Sequence, residues 1–147
     1  TLHAENFQKL IDRLTSQPIN LSINLIQNLD AVLFIKRVKQ NRIYKRRISS
    51  VMEIAGAEDN GTPIANEVIK WDPKNDNYKV VNPSCLLKQI SESMGISEKE
   101  IQQEIINRSK VLRWLYNMKI NDYRKTGALF NRFYNYPEAL LERIDTL

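Results

Sequence analysis

Apolar residues recur along this chain in three successive patterns, and each predicts a different kind of element. In the first, Phe7, Leu10, Ile11 and Leu14 stand at i, i+3, i+4 and i+7, one stripe of an amphipathic helix that Pro18 brings to a stop. Leu21, Leu25 and Ile26 continue a helical spacing across 20–28, which predicts a short second helix with Asp30 in the turn behind it. The second pattern is strand-like. Ala31-Val32-Leu33-Phe34-Ile35 is continuously apolar, the composition expected of a strand buried on both faces. From Ile43 to Ile54, the residues Tyr44, Arg46, Ile48, Ser50, Met52 and Ile54 share one face of a second strand, joined to the first by a loop at Gln40-Asn41. Turn formers fill Gly56 to Pro63, with Asp59-Asn60-Gly61 as the tip. Ile64 to Trp71 is then a third strand, 72–76 a turn, and Tyr78 to Val81 a short fourth strand. Loops this short predict antiparallel hairpins.

After Pro83 the pattern turns helical to the end. Leu86, Leu87 and Ile90 mark a short helix stopped at Gly95, and Ser97 with Glu100 is a capping box that opens a longer one. The core face of that longer helix is predicted as Ile101, Ile105, Leu112 and Leu115, with Trp114 nearby. Asn121 or Asp122 caps a further helix carrying Leu129, Phe130, Phe133 and Tyr134. Pro137 suits the first turn of a last helix with Leu140, Leu141 and Ile144. The fold class is therefore mixed α/β, with antiparallel strands and hairpins followed by a helical tail. The division expected is 1–82 for the first helix and strands, and 83–147 for the helices.

Composition narrows the function classes. With 42% hydrophobic and 27% charged residues, the 147-residue chain is ordinary for a globular protein long enough to bury a core. Its longest apolar run, Ala31 to Ile35, is too short to span a bilayer. A single cysteine, Cys85, excludes an internal disulfide, and one histidine with one cysteine cannot make a standard zinc site, so no metal site is expected. Cys85 follows Pro83-Ser84 at a helix start and is read as a small buried side chain. The aromatic residues of the tail stand at helical spacing and are read as core rather than as base-stacking surfaces.

The net charge is +5, and the excess is concentrated in Lys36, Arg37, Lys39, Arg42, Lys45, Arg46 and Arg47. One reading of that stretch is a solvated hairpin whose arginine stems cover apolar neighbours. Another is a stand-alone basic module for nucleic acid or an acidic protein. Gly56 to Thr62 has the glycine spacing of a phosphate loop, but no lysine precedes Thr62, and Glu58 and Asp59 would repel a polyanion. It is read as a hairpin turn. The lone histidine, His3, stands where a strand end would hand over to a helix start. In such a place an imidazole can donate to a phosphate oxygen or a water, beside backbone N–H groups that favour an anion. A lone histidine is also commonly a hydrogen-bonded structural residue. Glu5 is read as a first-turn carboxylate complementing the helix dipole.

The opening Thr1-x-His3-Ala4 resembles the His box of the traffic ATPases of secretion, pilus and archaeal flagellum systems. Arg13-Leu14 followed by Pro18-Ile19-Asn20 is similar to their archaeal branch. So are the runs Leu29 to Val38, Tyr44 to Ile54, Asn66 to Pro73, Val111 to Leu115 and Ile120 to Tyr123. The resemblance covers nearly the whole chain. It implies the end of a RecA-like nucleotide-binding core and a hexameric, cytoplasmic enzyme. That enzyme would work at the inner face of the membrane through a platform protein, exporting pilin- or flagellin-like subunits. His3 would sit near the γ-phosphate, within a motif that includes Thr1, Ala4, Glu5 and Arg13. Asn6 departs from the small hydroxyl residue common there. Lys36, Arg37, Arg46 or Arg47 would reach towards a subunit interface and a neighbour's phosphate. ATP and Mg would belong to the full-length parent, with no cofactor in this chain. The phosphate loop, the acidic boxes and the catalytic glutamate would all lie upstream of Thr1. The chain begins without a methionine and inside a motif, as a cloned or cleaved fragment would, and by itself is expected to hydrolyse no ATP.

Overall fold

A computed structural model describes residues 2–40 and 42–146. The chain forms two compact units, Thr1–Ile90 and Ser91–Leu147.

The first unit opens with helix α1, Phe7–Thr15, which buries Leu10 and Ile11 as its periodicity requires. Asn6 is the N-cap, its side-chain oxygen accepting from the Lys9 N–H at 2.9 Å. Glu5 thus lies outside the helix, and the expectation that it sits in the first turn is corrected: the cap residue comes after it. The predicted second helix is a 3-10 turn, Ile23–Asn28, that buries Ile26 against α1, β2 and β3 and leaves Leu25 exposed. Four strands follow in an antiparallel meander: β1 Ala31–Gln40, β2 Ile43–Ala57, β3 Pro63–Asp72 and β4 Asn77–Val80, in that spatial order.

Two readings of the strands are corrected. β1 is not buried on both faces; it is an edge strand, and only Phe34 of its apolar run is buried. The single face proposed for Tyr44 to Ile54 is broken, because Phe34 pairs with Ser50 while Ile35 pairs with Ile48. Ser49 is the extra residue of this bulge, and its hydroxyl donates to the Phe34 carbonyl at 3.1 Å. One extra residue reverses the alternation beyond it. Further irregularities against β3 fall between Val51 and Met52 and between Ile54 and Gly56.

The hairpin reading of Gly56 to Pro63 holds. Ala57 pairs with Pro63, and Gly61 has φ +83°, donating to the Glu58 carbonyl at 2.8 Å. The tip of the β1–β2 hairpin at Asn41 lies outside the described residues; Arg42 beside it adopts φ +67°.

Helix α2, Cys85–Met94, carries the chain from one unit to the next and ends at Gly95 with φ +66°. The second unit consists of α3 Glu98–Asn117, α4 Tyr123–Asn135 and α5 Pro137–Asp145. Ser97 and Glu100 form the predicted capping box, and Asp122, not Asn121, caps α4 through the Arg124 and Lys125 N–H groups. α5 packs against both α3 and α4. The core is Val111, Leu115, Phe133 and Leu140, with Trp114, Ile120, Leu129, Leu141 and Ile144 packed around it. The predicted face of α3 holds at Ile101 and Leu115, which are buried, and fails at the two positions between them. Val111 is 2% exposed, whereas Leu112 is 56% exposed and Ile105 is also outside the core. Phe133 is core as expected, but Tyr134 is exposed and carries the Arg108 guanidinium 5.8 Å from its ring centroid. No helix among the described residues is long and apolar enough to cross a membrane.

Candidate functional site

A groove of about 1240 Å³ lies within the first unit. It is lined by the segment Leu2–Glu5, by Lys9, Asp12 and Arg13 of α1, by the turn 16–19 that follows, and by the middle of β1, Phe34 to Arg37. His3, Ala4, Glu5, Arg13, Lys36 and Arg37 therefore line a single groove, although more than twenty residues separate Arg13 from Lys36. Thr1 lies outside the described residues. His3 does not close a strand: Leu2–Ala4 is irregular backbone, and His3 is exposed. The anion-binding character expected of the α1 N-terminus is reduced as well, because the Asn6 side chain occupies the Lys9 N–H.

The groove's chemistry comes from its side chains. Lys9, Arg13, Lys36 and Arg37 face Glu5 and Asp12, four cations to two carboxylates, with the imidazole of His3 among them. Lys9 was not legible as a groove residue, yet it stands four residues before Arg13 and so shares its face of α1. Such a site favours a polar anion. Because it is open, much of that attraction is screened by salt.

Arg46 and Arg47 stand apart from the groove lining. Arg47 makes a bidentate pair with Asp76, both N···O distances 2.8 Å, and Asp76 also accepts from the Trp71 indole N–H at 3.0 Å. The bonds from Arg47 and then Trp71 hold the Asp76 carboxyl well below its ordinary range, and Asp76 in turn raises the Arg47 pKa. Arg47 is committed to this pair, whereas Arg46 is exposed. Arg37 lies 4.0 Å from the centroid of the Tyr44 ring.

A second polar constellation was not expected. Glu53 of β2 is only 6% exposed, and its carboxylate accepts from the Ser84 hydroxyl, from the Cys85 thiol at 3.0 Å and from the Leu86 N–H at 3.0 Å. Ser84 completes the corner by accepting from the Leu87 N–H at 3.0 Å. Burial pushes the Glu53 carboxyl up, but the bonds from Ser84, Cys85 and Leu86 together outweigh it and hold the pKa below its ordinary value. The Cys85 thiol is pushed up, first by burial and then by Glu53, so the helix start does not activate it. A glutamate inside an apolar strand, with Pro83-Ser84 at a helix start, was the available signal. The corner anchors the start of α2 to the sheet.

With this geometry in place, the likeness to known proteins can be read onto it. Residues 75–146 match the family model of the PilB3-like C-terminal domain. The matched segment runs from the β3–β4 turn through the helices, and so excludes the groove. It relates this half of the chain to the C-terminal region of PilB-type proteins. Over 122 residues, 82% of its length, the chain is 33% identical to an uncharacterized protein of Methanocaldococcus jannaschii, MJ1287, and covers 45% of it. It is 30% identical over 140 residues to MJ0900 and 27% identical over 145 residues to MJ0781, both uncharacterized proteins of the same organism. It covers 25% of the first and 20% of the second. The chain thus spans less than half the length of each of these relatives.

Proposed function

We propose that this chain is the C-terminal portion of a secretion-type ATPase, a hexamer in which ATP hydrolysis drives export or assembly of pilin- or flagellin-like subunits. The observation that carries the reading is the PilB3-like match over 75–146. The groove supports it, since it brings His3 together with Arg13, Lys36 and Arg37.

In this reading the chain contains the end of a RecA-like core, and the phosphate cradle with its magnesium ion is supplied by sequence that 1–147 does not include. His3 donates a hydrogen bond to a terminal phosphate oxygen or to the attacking water, and so reports whether that phosphate is present. Arg13, Lys36 and Arg37 supply positive potential where charge builds up on the transferring group. Arg46, exposed on β2, is the better candidate for a neighbouring subunit's site, because Arg47 is held by Asp76. Such an enzyme is cytoplasmic and meets the membrane through a platform protein.

The test uses the longer polypeptide. His3→Ala is expected to lower magnesium-dependent ATP turnover by at least about tenfold, the scale of a positioned proton donor. Stability should change by no more than about 0.5 kcal/mol, since the residue is exposed. Unchanged turnover would return His3 to a structural role. A coding sequence upstream of Thr1 without a phosphate loop would overturn the reading.

A second reading rests on the exposed cations of the β1–β2 hairpin, Lys39, Arg42, Lys45 and Arg46. As a stand-alone basic module, the chain would bind DNA, RNA or an acidic protein with a steep salt dependence. A salt series on the isolated chain separates the two, because the ATPase reading expects only weak and unspecific retention of nucleic acid.

A further inference from the structure

β1 is one of the two edge strands of its sheet, β4 being the other, and among the described residues nothing pairs with its outer edge. It is ten residues long, so it presents a row of backbone N–H and C=O groups that an added strand would satisfy. Its apolar side chains are poorly covered too: Leu33 is 52% and Ile35 64% exposed. The groove described above meets this same strand along four consecutive residues, Phe34 to Arg37. Successive strand residues point to opposite faces, so a space lined by four in a row runs along the edge of the strand, not over one face.

The composition of β1 says what would fit there. Its first half, Ala31 to Ile35, is wholly apolar; its second half carries Lys36, Arg37 and Lys39 and no acid. We propose that the outer edge of β1 accepts an added strand from a segment of different sequence. That segment is apolar beside Ala31–Ile35 and acidic beside Lys36–Gln40. Main-chain hydrogen bonds would supply the affinity, and the paired side chains the selectivity. A second copy of β1 fits poorly in either direction. Antiparallel pairing lays each basic half over the other's apolar half, and parallel in-register pairing sets like charges side by side. The proposal does not use His3, but it engages Lys36 and Arg37, which the ATPase reading assigns to phosphate; a test on the 147-residue chain without nucleotide reads the β1 edge separately from that reading.

Amide hydrogen exchange of the 147-residue chain, read by NMR, tests it. The probes are two ten-residue peptides, half Val/Ile/Thr and half Asp/Glu, one with the apolar half first and the other with the acidic half first, since a strand can enter in either direction. One of them is expected to slow exchange at alternate β1 amides. Its affinity should fall at least about tenfold when lysine replaces the acids. In the double variant Lys36→Glu with Arg37→Glu, both positions being exposed, the preference is expected to reverse. That reversal cannot come from a merely structural role. Three outcomes overturn the proposal. They are no protection of β1 by either peptide, equal protection by the lysine peptides, and protection that grows with protein concentration alone, which would make a second copy the occupant.

Discussion

Glu53 ties the start of α2 to the sheet, and a one-atom change tests how strongly. In Glu53→Gln the side chain keeps its shape, but one oxygen becomes an NH₂ group. The Ser84 hydroxyl donates to one carboxylate oxygen, while the Cys85 thiol and the Leu86 N–H donate to the other. With the amide nitrogen towards Oε2's partners, the Leu86 N–H is set against a donor. With it towards Ser84, the hydroxyl must turn from donating to accepting and its proton loses this partner; in both orientations the negative charge is gone. A hydrogen bond to a charged acceptor contributes about 1.5–3 kcal/mol, and a buried donor left unpaired costs about 1–3 kcal/mol. The glutamine retains part of this, so the expected loss is about 2 kcal/mol, rising to about 3 kcal/mol for Glu53→Ala. Trp114→Phe leaves Trp71 as the sole tryptophan, and its fluorescence then reports on the first unit during urea unfolding. With a slope of about 1–3 kcal/mol per molar, the midpoint should fall by about 1 M at an unchanged slope. The acid limb provides a second reading. The folded carboxyl sits below its ordinary 4.5, so its stabilisation is complete above that value and is lost as the pH falls through the lowered one. The glutamine variant should lack this component. A midpoint shift below about 0.2 M, or an acid limb as steep as that of the parent, would refute the reasoning.

Other outcomes follow from single contacts. Val111→Ala should cost the second unit about 2 kcal/mol, and Leu112→Ala less than about 0.5 kcal/mol, because only Val111 is buried; thermal unfolding that ranks them the other way would restore the face predicted from periodicity. Gly61→Ala should be destabilising by about 1–3 kcal/mol, since it puts a Cβ into the Asn24 side chain at φ +83°. Adding Asn24→Ala should recover only the steric part in chemical denaturation. Asp72 is held down to about 2 by Lys79 first, with help from Asn75 and the Lys74 N–H. Its contribution to the β3–β4 turn is present above the ordinary 3.8 and lost as the pH falls through about 2, and in Asp72→Asn the protection factors of the turn amides, after division by intrinsic exchange, should change little over that range.

Much of the local structure could be read from the residues. Ser97 with Glu100, and Asp122, announce helix starts through hydrogen bonds made within a turn, and Pro137 does so through its fixed φ at the first helical turn. The Asp59-Asn60-Gly61 tip declares a hairpin because few residues tolerate the backbone there. These signals act over three or four residues, so no distant part of the chain can override them. The errors share an opposite cause. Ser49 bulges because of what β2 must pair with, Leu112 lies outside because α5 packs against another stripe of α3, and Leu33 is bare because β1 has one neighbour.

The candidate site divides the same way. The chemistry at its disposal was set by residue identity: one imidazole at position 3, a cluster of cations at 36–47, a single thiol, and no phosphate loop. Which of these meet was decided only by the fold. The path of β1 past the Leu2–Glu5 segment puts Lys36 and Arg37 in His3's groove, while the β3–β4 turn supplies the Asp76 that takes Arg47 out of contention. Helical spacing, capping and turn chemistry are short-range and therefore written in neighbouring residues. Whether an apolar stripe is covered, a charge paired or an imidazole joined by cations depends on segments far apart in sequence, and only their packing in three dimensions decides it.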